Sequence, residues 1–302
     1  DLRAMDPFYQ IRFADGRVFN YTGDLERMKS EVAKFSPRDL PGYLRFLDEA
    51  EKCYKLAFED LGAVAFESMN DLIKATPNLI KMRAWKSLYS LVAKYIQDPK
   101  LREVMSFHPL LIGGNPFSVS SAYALINSLE RKWGVYSAMG GTGSIIKGLV
   151  GLLNGLNVPI RYASTVKKIN IVDNKVTGVT LENGDVLFAN KVVANADTAW
   201  TYKNLIDPEY RKVWTDQKIK NGKYSMSLFV WYFGTNRCYP DVPHHMMVLG
   251  PRYKGLLQDI FKRHVLAEDF SLYLYRPTAT DPSLAPPGCD TFYALSVVPN
   301  LE

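Results

Sequence analysis

The sequence predicts an α+β fold in which a helical block is followed by a block of short strands. Between about residues 24 and 131, N-cap candidates and proline joints divide the chain into segments with helical spacing of apolar residues. From residue 139 onward, short apolar runs alternate with turn signals such as Asn183-Gly184, which indicates a mixed or mostly antiparallel sheet. With 302 residues, 47% of them hydrophobic, the chain is long enough for one large domain or two ordinary ones.

Helices are predicted from capping residues and apolar spacing. Asp24, Ser68 and Asn70 are N-cap candidates, because their short side chains accept hydrogen bonds from the first turn of a helix. We expect helices over residues 24–35, 39–59, 118–131, 144–153, 198–214 and 252–261, and mostly helical structure from 68 to 127.

Strands are predicted from short apolar runs between turns. Residues 8–21 alternate apolar and polar side chains around Asp15-Gly16, which predicts a β-hairpin with a type I′ turn. Residues 225–233 (SMSLFVWYF) are mostly apolar and predict a buried strand. The other expected strands are 160–163, 166–172, 175–181, 185–188, 191–195, 245–248, 272–276 and 292–298, and the last of these is expected to need a partner strand beyond it.

Charge and cysteine usage limit the classes of partner. The net charge of +6 is spread along the chain without a Lys/Arg block, so we expect no nucleic-acid partner, whereas an anionic membrane surface suits the same charge. The three cysteines are far apart and form no CxxC pair, so we expect no metal site and no disulfide framework. This cysteine usage favours a reducing, cytoplasmic location, and no apolar run is long enough to predict a spanning helix.

The glycine-rich turn at residues 139–143 has two interpretations. It does not match a dinucleotide fingerprint, because Ile146 stands where a third glycine is needed. It is either a tight turn that lets a helix start beside another backbone, or a turn beside a bound cofactor or substrate. Small residues at 194–197 end a predicted strand and precede a helix, which is where a ligand approaches closely in open α/β sheets.

Two further groups of polar residues are candidates for chemistry. Asp71 and Lys74 share one helix face, either as a solvated ion pair or as a charged pair at the wall of an apolar cavity. His108 is expected in the core. His244 and His245 are adjacent, so in a strand they are expected on opposite faces, with His245 the candidate for substrate contact.

Several long segments in the right order resemble the bacterial-type phytoene desaturases, a carotenoid-forming branch of the flavin amine-oxidase superfamily. They are FSPRDLPGYLRFL (35–47), SFHPLLIGGNPFSVSSAYALINSLERKWGVY (106–136), MGGTGSIIKGL (139–149), VVANAD (192–197), HHMMVLGPRY (244–253), LAEDFSLYLYRPTATDPSLAPPGC (266–289) and FYALSVVPNL (292–301).

The resemblance implies an FAD cofactor and a set of site residues. Those implied to contact the cofactor or to line its cleft are Val166 at the adenine end, Asn195, Ala196 and Asp197 along the cleft, and Gly140 and Gly141 near the junction of flavin and substrate. Asp71 and Lys74 match a polar pair directed at the substrate cavity, although the second position is often Arg in the family.

The resemblance also implies a division of the chain. Residues 1–138 correspond to a mostly helical substrate-binding region with an N-terminal hairpin. Residues 139–200 correspond to the glycine turn, a helix and the β-insertion of the FAD-binding domain, and residues 201–302 to the sheet and helices of the substrate domain. The family has a glycine fingerprint for FAD at its amino terminus and a second flavin-contacting motif near its carboxyl terminus. Neither motif is in this sequence, so we expect it to be an internal part of a longer protein.

The function implied by the resemblance is FAD-dependent desaturation of phytoene or a related acyclic carotenoid. Its expected partners are a hydrophobic carotenoid and a membrane surface, with peripheral association through residues 79–96 as one alternative and a buried amphipathic helix as the other. Rival functions are a carotenoid isomerase, a C30 desaturase, a carotenoid oxidase, and a carotenoid- or lipid-binding protein without redox activity.

Overall fold

The computed structural model describes residues 1–300 and divides the chain into two compact units. Unit 1 combines Asp1–Lys147 with the chain from Ser225 onward, and unit 2 is Gly148–Tyr224. Helices and mixed sheets are both present, so the predicted α+β class is confirmed. The predicted three-part division of the chain stays a prediction.

The α-helices have the following bounds in chain order: α1 (Leu25–Phe35), α2 (Leu40–Cys53), α3 (Met69–Lys81), α4 (Leu88–Tyr95), α5 (Pro99–Ser106), α6 (Leu125–Trp133), α7 (Gly143–Gly155), α8 (Thr198–Leu205), α9 (Asp216–Lys220) and α10 (Tyr253–Gln258). Short π-helical segments follow two of them, at Tyr54–Asp60 and Asp259–Arg263. Single 3₁₀ turns occur at Pro37–Asp39, His108–Ile112, Ser121–Ala124, Pro208–Tyr210, Pro277–Ala279 and Pro282–Leu284.

The strands have the following bounds: β1 (Leu2–Ala4), β2 (Tyr9–Phe13), β3 (Val18–Tyr21), β4 (Tyr136–Ala138), β5 (Val166–Val172), β6 (Lys175–Leu181), β7 (Val186–Phe188), β8 (Ser227–Thr235), β9 (His245–Leu249), β10 (Leu272–Tyr275) and β11 (Asp290–Val298). The predicted hairpin is present as β2 and β3, but its turn is not type I′. That turn needs positive φ at both central residues, whereas in this loop Gly16 has positive φ and Asp15 does not.

Unit 1 is built on a mixed sheet of six strands in the order β3-β2-β9-β10-β11-β8. The pair β2 and β9 is parallel, and the other neighbours are antiparallel. β11 lies between β10 and β8, so the expectation that this strand needs a partner from further along the chain is wrong. β8 is an edge strand with many exposed side chains, including Phe229 and Trp231, and this corrects its prediction as a buried strand.

The core of unit 1 lies between one face of this sheet and the helices. Alternate residues of the hairpin, such as Ile11 and Phe19, point to the same face and are fully buried. Helix α2 contributes Tyr43, Phe46 and Ala50 at helical spacing. Complete burial of each large apolar side chain stabilises the fold by about 1.5–3 kcal/mol relative to exposure, so this face fixes the register of the sheet.

Unit 2 contains the antiparallel sheet β5-β6-β7, whose strands fall close to their predicted bounds. Two other predicted strands, 160–163 and 191–195, are not formed. Both are extended apolar segments, but a strand requires a hydrogen-bonded neighbour, and residues 1–300 provide none for them. In α7 none of the side chains is buried, although the helix is strongly apolar.

Candidate functional site

A cavity of about 360 Å³ opens on the helix-facing side of the six-stranded sheet. We call it the sheet cavity. Its lining is almost entirely apolar or aromatic and consists of Tyr9, Phe107, Leu110, Leu111, Leu228, Met247, Leu249, Ser271, Leu272, Tyr273, Tyr293, Leu295 and Val297. The strand residues among these alternate along β11, because residues two apart in a strand share a face. A cavity with this lining suits a hydrocarbon better than a charged ligand.

An aromatic cluster adjoins the sheet cavity. It comprises Tyr9, His245, Tyr273, Tyr275 and Tyr293, whose neighbouring rings lie 4.7–5.9 Å apart. His245 Nδ1 and the Tyr273 hydroxyl are 2.6 Å apart and share a hydrogen bond. Residues in register across β9, β10 and β11 bring these side chains together. The site therefore presents ring faces and internally paired polar atoms.

His244 and His245 lie together, which contradicts the prediction of opposite faces. Their rings are 4.5 Å apart, and both contact Tyr275. The strand begins only at His245, so the alternation of side chains does not apply to the residue before it. His244 Nδ1 is 2.6 Å from Thr280 Oγ1, and its buried Nε2 has no hydrogen-bond partner within residues 1–300.

The histidines and tyrosines of this region are held uncharged. Burial lowers the pKa of His245 to about 3, with a further contribution from His244. Burial lowers the pKa of His244 to about 4, and the positive charge of Arg276 acts in the same direction. Burial likewise raises the pKa of Tyr273, so its phenol stays protonated. Near neutral pH the aromatic cluster carries no charge of its own.

A buried polar network touches the wall of the sheet cavity through Tyr9. The Tyr9 hydroxyl donates to Glu130 Oε1 at 2.5 Å, and His108 Nε2 lies 3.1 Å from Glu130 Oε2. All three residues are buried. The expectation that His108 is a core residue is confirmed. No local sequence pattern indicates Tyr9 or Glu130, because they are 121 positions apart and only the fold joins them.

A second apolar cavity, of about 780 Å³, opens on the opposite face of the same sheet. The alternate residues of β8 and β11 line it, together with the segment that leads to β10. Its lining residues are Phe229, Trp231, Phe233, His264, Leu266, Phe270, Leu272, Ala294, Ser296, Val298, Pro299 and Asn300.

Asp71 and Lys74 lie on α3, and neither is among the residues that line the sheet cavity. The Asp71 carboxylate forms a capping box with Ser68, accepting from its backbone N–H at 3.0 Å and from its hydroxyl at 2.7 Å. Lys74 is exposed, and in the described part of the chain the Asp71 carboxylate is engaged in the capping box rather than in an ion pair with Lys74. The capping box accounts for the carboxylate at this position, and a role toward substrate stays a prediction.

The glycine turn has a conformation that requires glycine. Gly140 and Gly141 both have φ of +78°, a backbone conformation that residues with a side chain rarely adopt. The Asp281 carboxylate accepts a hydrogen bond from Gly140 N at 2.7 Å and fixes the turn. A tight turn is therefore present, but in the described part of the chain no second backbone approaches the Cβ position of either glycine within 4 Å, so the close backbone approach expected there is not observed. Contact with a cofactor at this turn stays a prediction.

The remaining cofactor candidates lie in unit 2. Val166 begins β5, where it pairs with Leu181 at the start of an irregular register. Asn195 and Ala196 are exposed, and in the described part of the chain their backbone N–H groups have no backbone partner. Asp197 caps α8 by accepting from Trp200 N at 2.7 Å. Free N–H donors at an exposed, extended segment fit the edge of a nucleotide cofactor site, because such a site needs unpaired backbone donors.

Two absences hold for residues 1–300. No helix there combines the length and the apolar character needed to cross a bilayer. No group of three or more His, Cys, Asp or Glu side chains is arranged to hold a metal ion.

The chain belongs to the flavin-containing amine oxidoreductase family, whose sequence pattern it matches over residues 1–288. The resemblance found in the sequence is therefore confirmed at the level of the family. An uncharged cavity beside the six-stranded sheet is compatible with that class of protein.

Individual relatives within this family have sequences similar to this chain. The chain is 46% identical to the neurosporene-forming phytoene desaturase of Cereibacter sphaeroides, over 100% of this chain and 59% of the relative. It is 42% identical to the lycopene-forming phytoene desaturase of Pantoea ananas, over 100% of this chain and 61% of the relative. The chain thus spans about three fifths of the length of these curated relatives.

Solved structures support the fold. An oxidoreductase from Methanosarcina mazei superposes with a TM-score of 0.61 at 15% identity, covering 99% of this chain and 61% of the other. A protein from Pyrococcus furiosus superposes with a TM-score of 0.62 at 14% identity, covering 98% of this chain and 61% of the other. At these identities the likeness concerns the fold alone.

Proposed function

We propose that the protein containing this chain is an FAD-dependent desaturase of phytoene or a related acyclic carotenoid. The observation that carries the proposal is the sheet cavity, whose wall is apolar and aromatic and whose neighbouring histidines are neutral. A polyene precursor has no charged or hydrogen-bonding group, so its recognition depends on burial of apolar surface and on contact with aromatic rings. The identities of 41–46% to phytoene desaturases support the same substrate class.

The residues of this chain bind and orient the substrate in this proposal. The apolar wall excludes water from the reacting carbons, and the tyrosine rings of β10 and β11 restrict the position of the chain of double bonds. When bound, the flavin supplies a hydride acceptor. Its adenine end is assigned to Val166, its cleft to Asn195, Ala196 and Asp197, and its junction with substrate to Gly140 and Gly141.

Asp71 and Lys74 are retained as proposed substrate-side residues. Removal of a hydride from an allylic carbon leaves positive charge that is delocalised along the polyene. One placed carboxylate stabilises such a charge electrostatically. In this proposal Asp71 has two roles, as the cap of α3 and as that carboxylate.

Peripheral association with a membrane is part of the proposal, and the surface that supports it is α3 rather than residues 79–96 as a whole. α4 buries Leu88, Leu91 and Val92, so that part of the expected interfacial helix belongs to the core. In contrast, α3 and the turn after it expose large apolar side chains, and lysines accompany them. The exposed apolar residues are Met69, Leu72, Ile73, Ile80 and Trp85, and the exposed lysines are Lys74, Lys81 and Lys86. Such a surface suits an anionic bilayer.

Product analysis tests the function. The protein containing this chain, loaded with FAD, is incubated with phytoene in liposomes, and the products are separated by chromatography. We expect products with additional conjugated double bonds. A product with rearranged geometry and the same number of double bonds would instead identify an isomerase, and unchanged bound phytoene would identify a binding protein.

A pair of variants connects the function to the sheet cavity. Leu295→Asn places an amide in the cavity wall, whereas Leu274→Asn places the same amide on the opposite face of the sheet and outside both cavities. We expect the first variant to lose phytoene binding and the second to retain it. Equal binding by both would exclude the sheet cavity as the substrate site.

A further inference from the structure

The buried network of Tyr9, Glu130 and His108 has a feature that a purely structural cluster does not need. One end of it, Tyr9, forms part of the wall of the sheet cavity, and the other two residues lie behind that wall. The Glu130 carboxylate is only 5% exposed, and each of its oxygens has one hydrogen-bond partner. Burying a carboxylate is costly, and partners of this kind are what make it tolerable.

Desaturation requires an acceptor for a proton. Formation of a C=C bond from CH–CH removes a hydride and a proton, and the oxidised flavin of the proposed function takes only the hydride. The groups on the sheet cavity wall are almost all hydrocarbon or phenol. The Tyr9 hydroxyl donates a hydrogen bond to Glu130 and keeps its own proton, so the lone pairs of the Tyr9 oxygen can still accept a proton.

We propose that Tyr9 and Glu130 form a proton relay that accepts the proton released from the substrate, with His108 as a positioning residue that holds the carboxylate. This inference rests on the proposed function and names a further catalytic residue for it. Tyr9 is the residue that touches substrate. Glu130 acts through Tyr9, at a hydrogen-bond distance that favours transfer between the two oxygens.

The C–H bond beside the carbon that has lost its hydride breaks, and its electron pair becomes the new C=C bond. The released proton binds to the Tyr9 oxygen as the original Tyr9 hydroxyl proton moves to Glu130 Oε1. Tyr9 therefore ends as it began, a neutral phenol, and Glu130 becomes a carboxylic acid. The substrate is oxidised and the flavin reduced by two electrons.

Surrounding charges favour Tyr9 as a neutral donor and acceptor. Burial raises the pKa of Tyr9, and the charge of Glu130 and the hydrogen bond to it raise that pKa further. A free phenolate is thus disfavoured, and coupled transfer to Glu130 avoids forming one. Tyr21 lies against the His108 ring and donates to Asn127 Oδ1 at 3.0 Å, so it completes the same core without lining the cavity.

The test uses three variants of the FAD-loaded protein with phytoene in liposomes as substrate. Tyr9→Phe keeps the ring and removes the relay, and Glu130→Gln keeps the shape and removes the proton acceptor. Tyr21→Phe is the matched control, since it also removes one buried hydroxyl and one hydrogen bond to a side chain. We expect Tyr9→Phe and Glu130→Gln to bind phytoene normally. We expect each variant to desaturate phytoene at least about 10²-fold more slowly than the unaltered protein. We expect the control to turn over at the unaltered rate.

Two readouts separate catalysis from structure. With phytoene deuterated at the carbon that loses the proton, the kinetic isotope effect should rise in Tyr9→Phe, whereas a partly unfolded variant would show a lower rate and an unchanged isotope effect. In the unaltered protein, infrared difference spectra recorded as phytoene reacts without oxygen should show a new carboxylic-acid band. Glu130→Gln should lack that band.

The outcomes distinguish the relay from the function. Normal turnover or an unchanged isotope effect in Tyr9→Phe, or no acid band in the unaltered protein, would overturn the relay and leave the desaturase function standing. No conversion of phytoene by the unaltered protein would overturn both together.

Discussion

Gly178, in the middle strand of the sheet of unit 2, offers a sharp test of the structure around the proposed adenine site. Its φ is +147°, and a Cβ atom there would lie 2.0 Å from the carbonyl oxygen of Leu187 in the neighbouring strand. Gly178→Ala therefore adds backbone strain of about 1–3 kcal/mol. It also forces β6 and β7 apart, with the loss of about two ladder hydrogen bonds at about 1 kcal/mol each. The expected destabilisation of this sheet is about 3–5 kcal/mol.

Gly184 provides the matched control, because it lies in the turn between the same two strands. Its φ is +93°, but no atom lies within 4 Å of the position that a Cβ would occupy. Gly184→Ala therefore adds only backbone strain, about 1–2 kcal/mol. The two variants should differ by about 2 kcal/mol, which corresponds to about a 30-fold difference in local opening.

Hydrogen exchange of the β5–β7 amides measures this difference, because it reports the opening of one sheet independently of unfolding elsewhere. We expect Gly178→Ala to exchange about 30-fold faster than Gly184→Ala in these strands, and to hold FAD more weakly because Val166 begins β5. Equal protection in the two variants would refute the close approach of β6 and β7.

Three further predictions concern other regions. Asp39→Ala should lower the free energy of unfolding by about 3 kcal/mol, because the Asp39 carboxylate accepts hydrogen bonds from the backbone N–H groups of Gln97 at 2.7 Å and Asp98 at 2.8 Å. Denaturant titration measures this against Asp15→Ala at an exposed site, and an equal effect at both sites would contradict it. The pKa values of His244 and His245 are depressed to about 4 and about 3, so the unfolded chain binds protons first as the pH falls below about 6.5. The free energy of unfolding should therefore decrease between about pH 6.5 and about pH 4, by up to about 1.4 kcal/mol per pH unit for each histidine. A His244→Gln, His245→Gln double variant with the same acid sensitivity would refute this. Asp71→Asn should retain FAD and convert phytoene more slowly, whereas Ser68→Ala, which weakens the same helix cap, should convert it at the unaltered rate; equal conversion by both would leave Asp71 with the capping role alone.

Local signals in the sequence predicted the elements that local physics determines. The N-caps at Asp24 and Ser68 form as expected, because a side chain and the first turn of its own helix are enough to make them, whereas Asn70, the other candidate, lies inside α3. The hairpin of residues 8–21 and the strands at 166–172 and 175–181 also form, since each contains its own pairing partner or turn.

Long-range pairing determined what the sequence did not predict. Segment 191–195 has the composition of a strand, yet a strand depends on a neighbour that composition does not reveal. β8 is apolar along its length and still occupies a sheet edge. Tyr273 and Tyr275 are two positions apart in the sequence, and in a strand this spacing places both rings on one face, so the aromatic face could have been predicted. No local pattern joins Tyr9 to Glu130, because only tertiary packing brings β2 beside α6.

The most direct test of the proposed desaturase is the flavin absorbance of the FAD-loaded protein during anaerobic mixing with phytoene. We expect the oxidised flavin to bleach, with one flavin reduced for each double bond formed in the product. Phytoene that is consumed without bleaching, or that remains bound and unchanged beside an oxidised flavin, would contradict it.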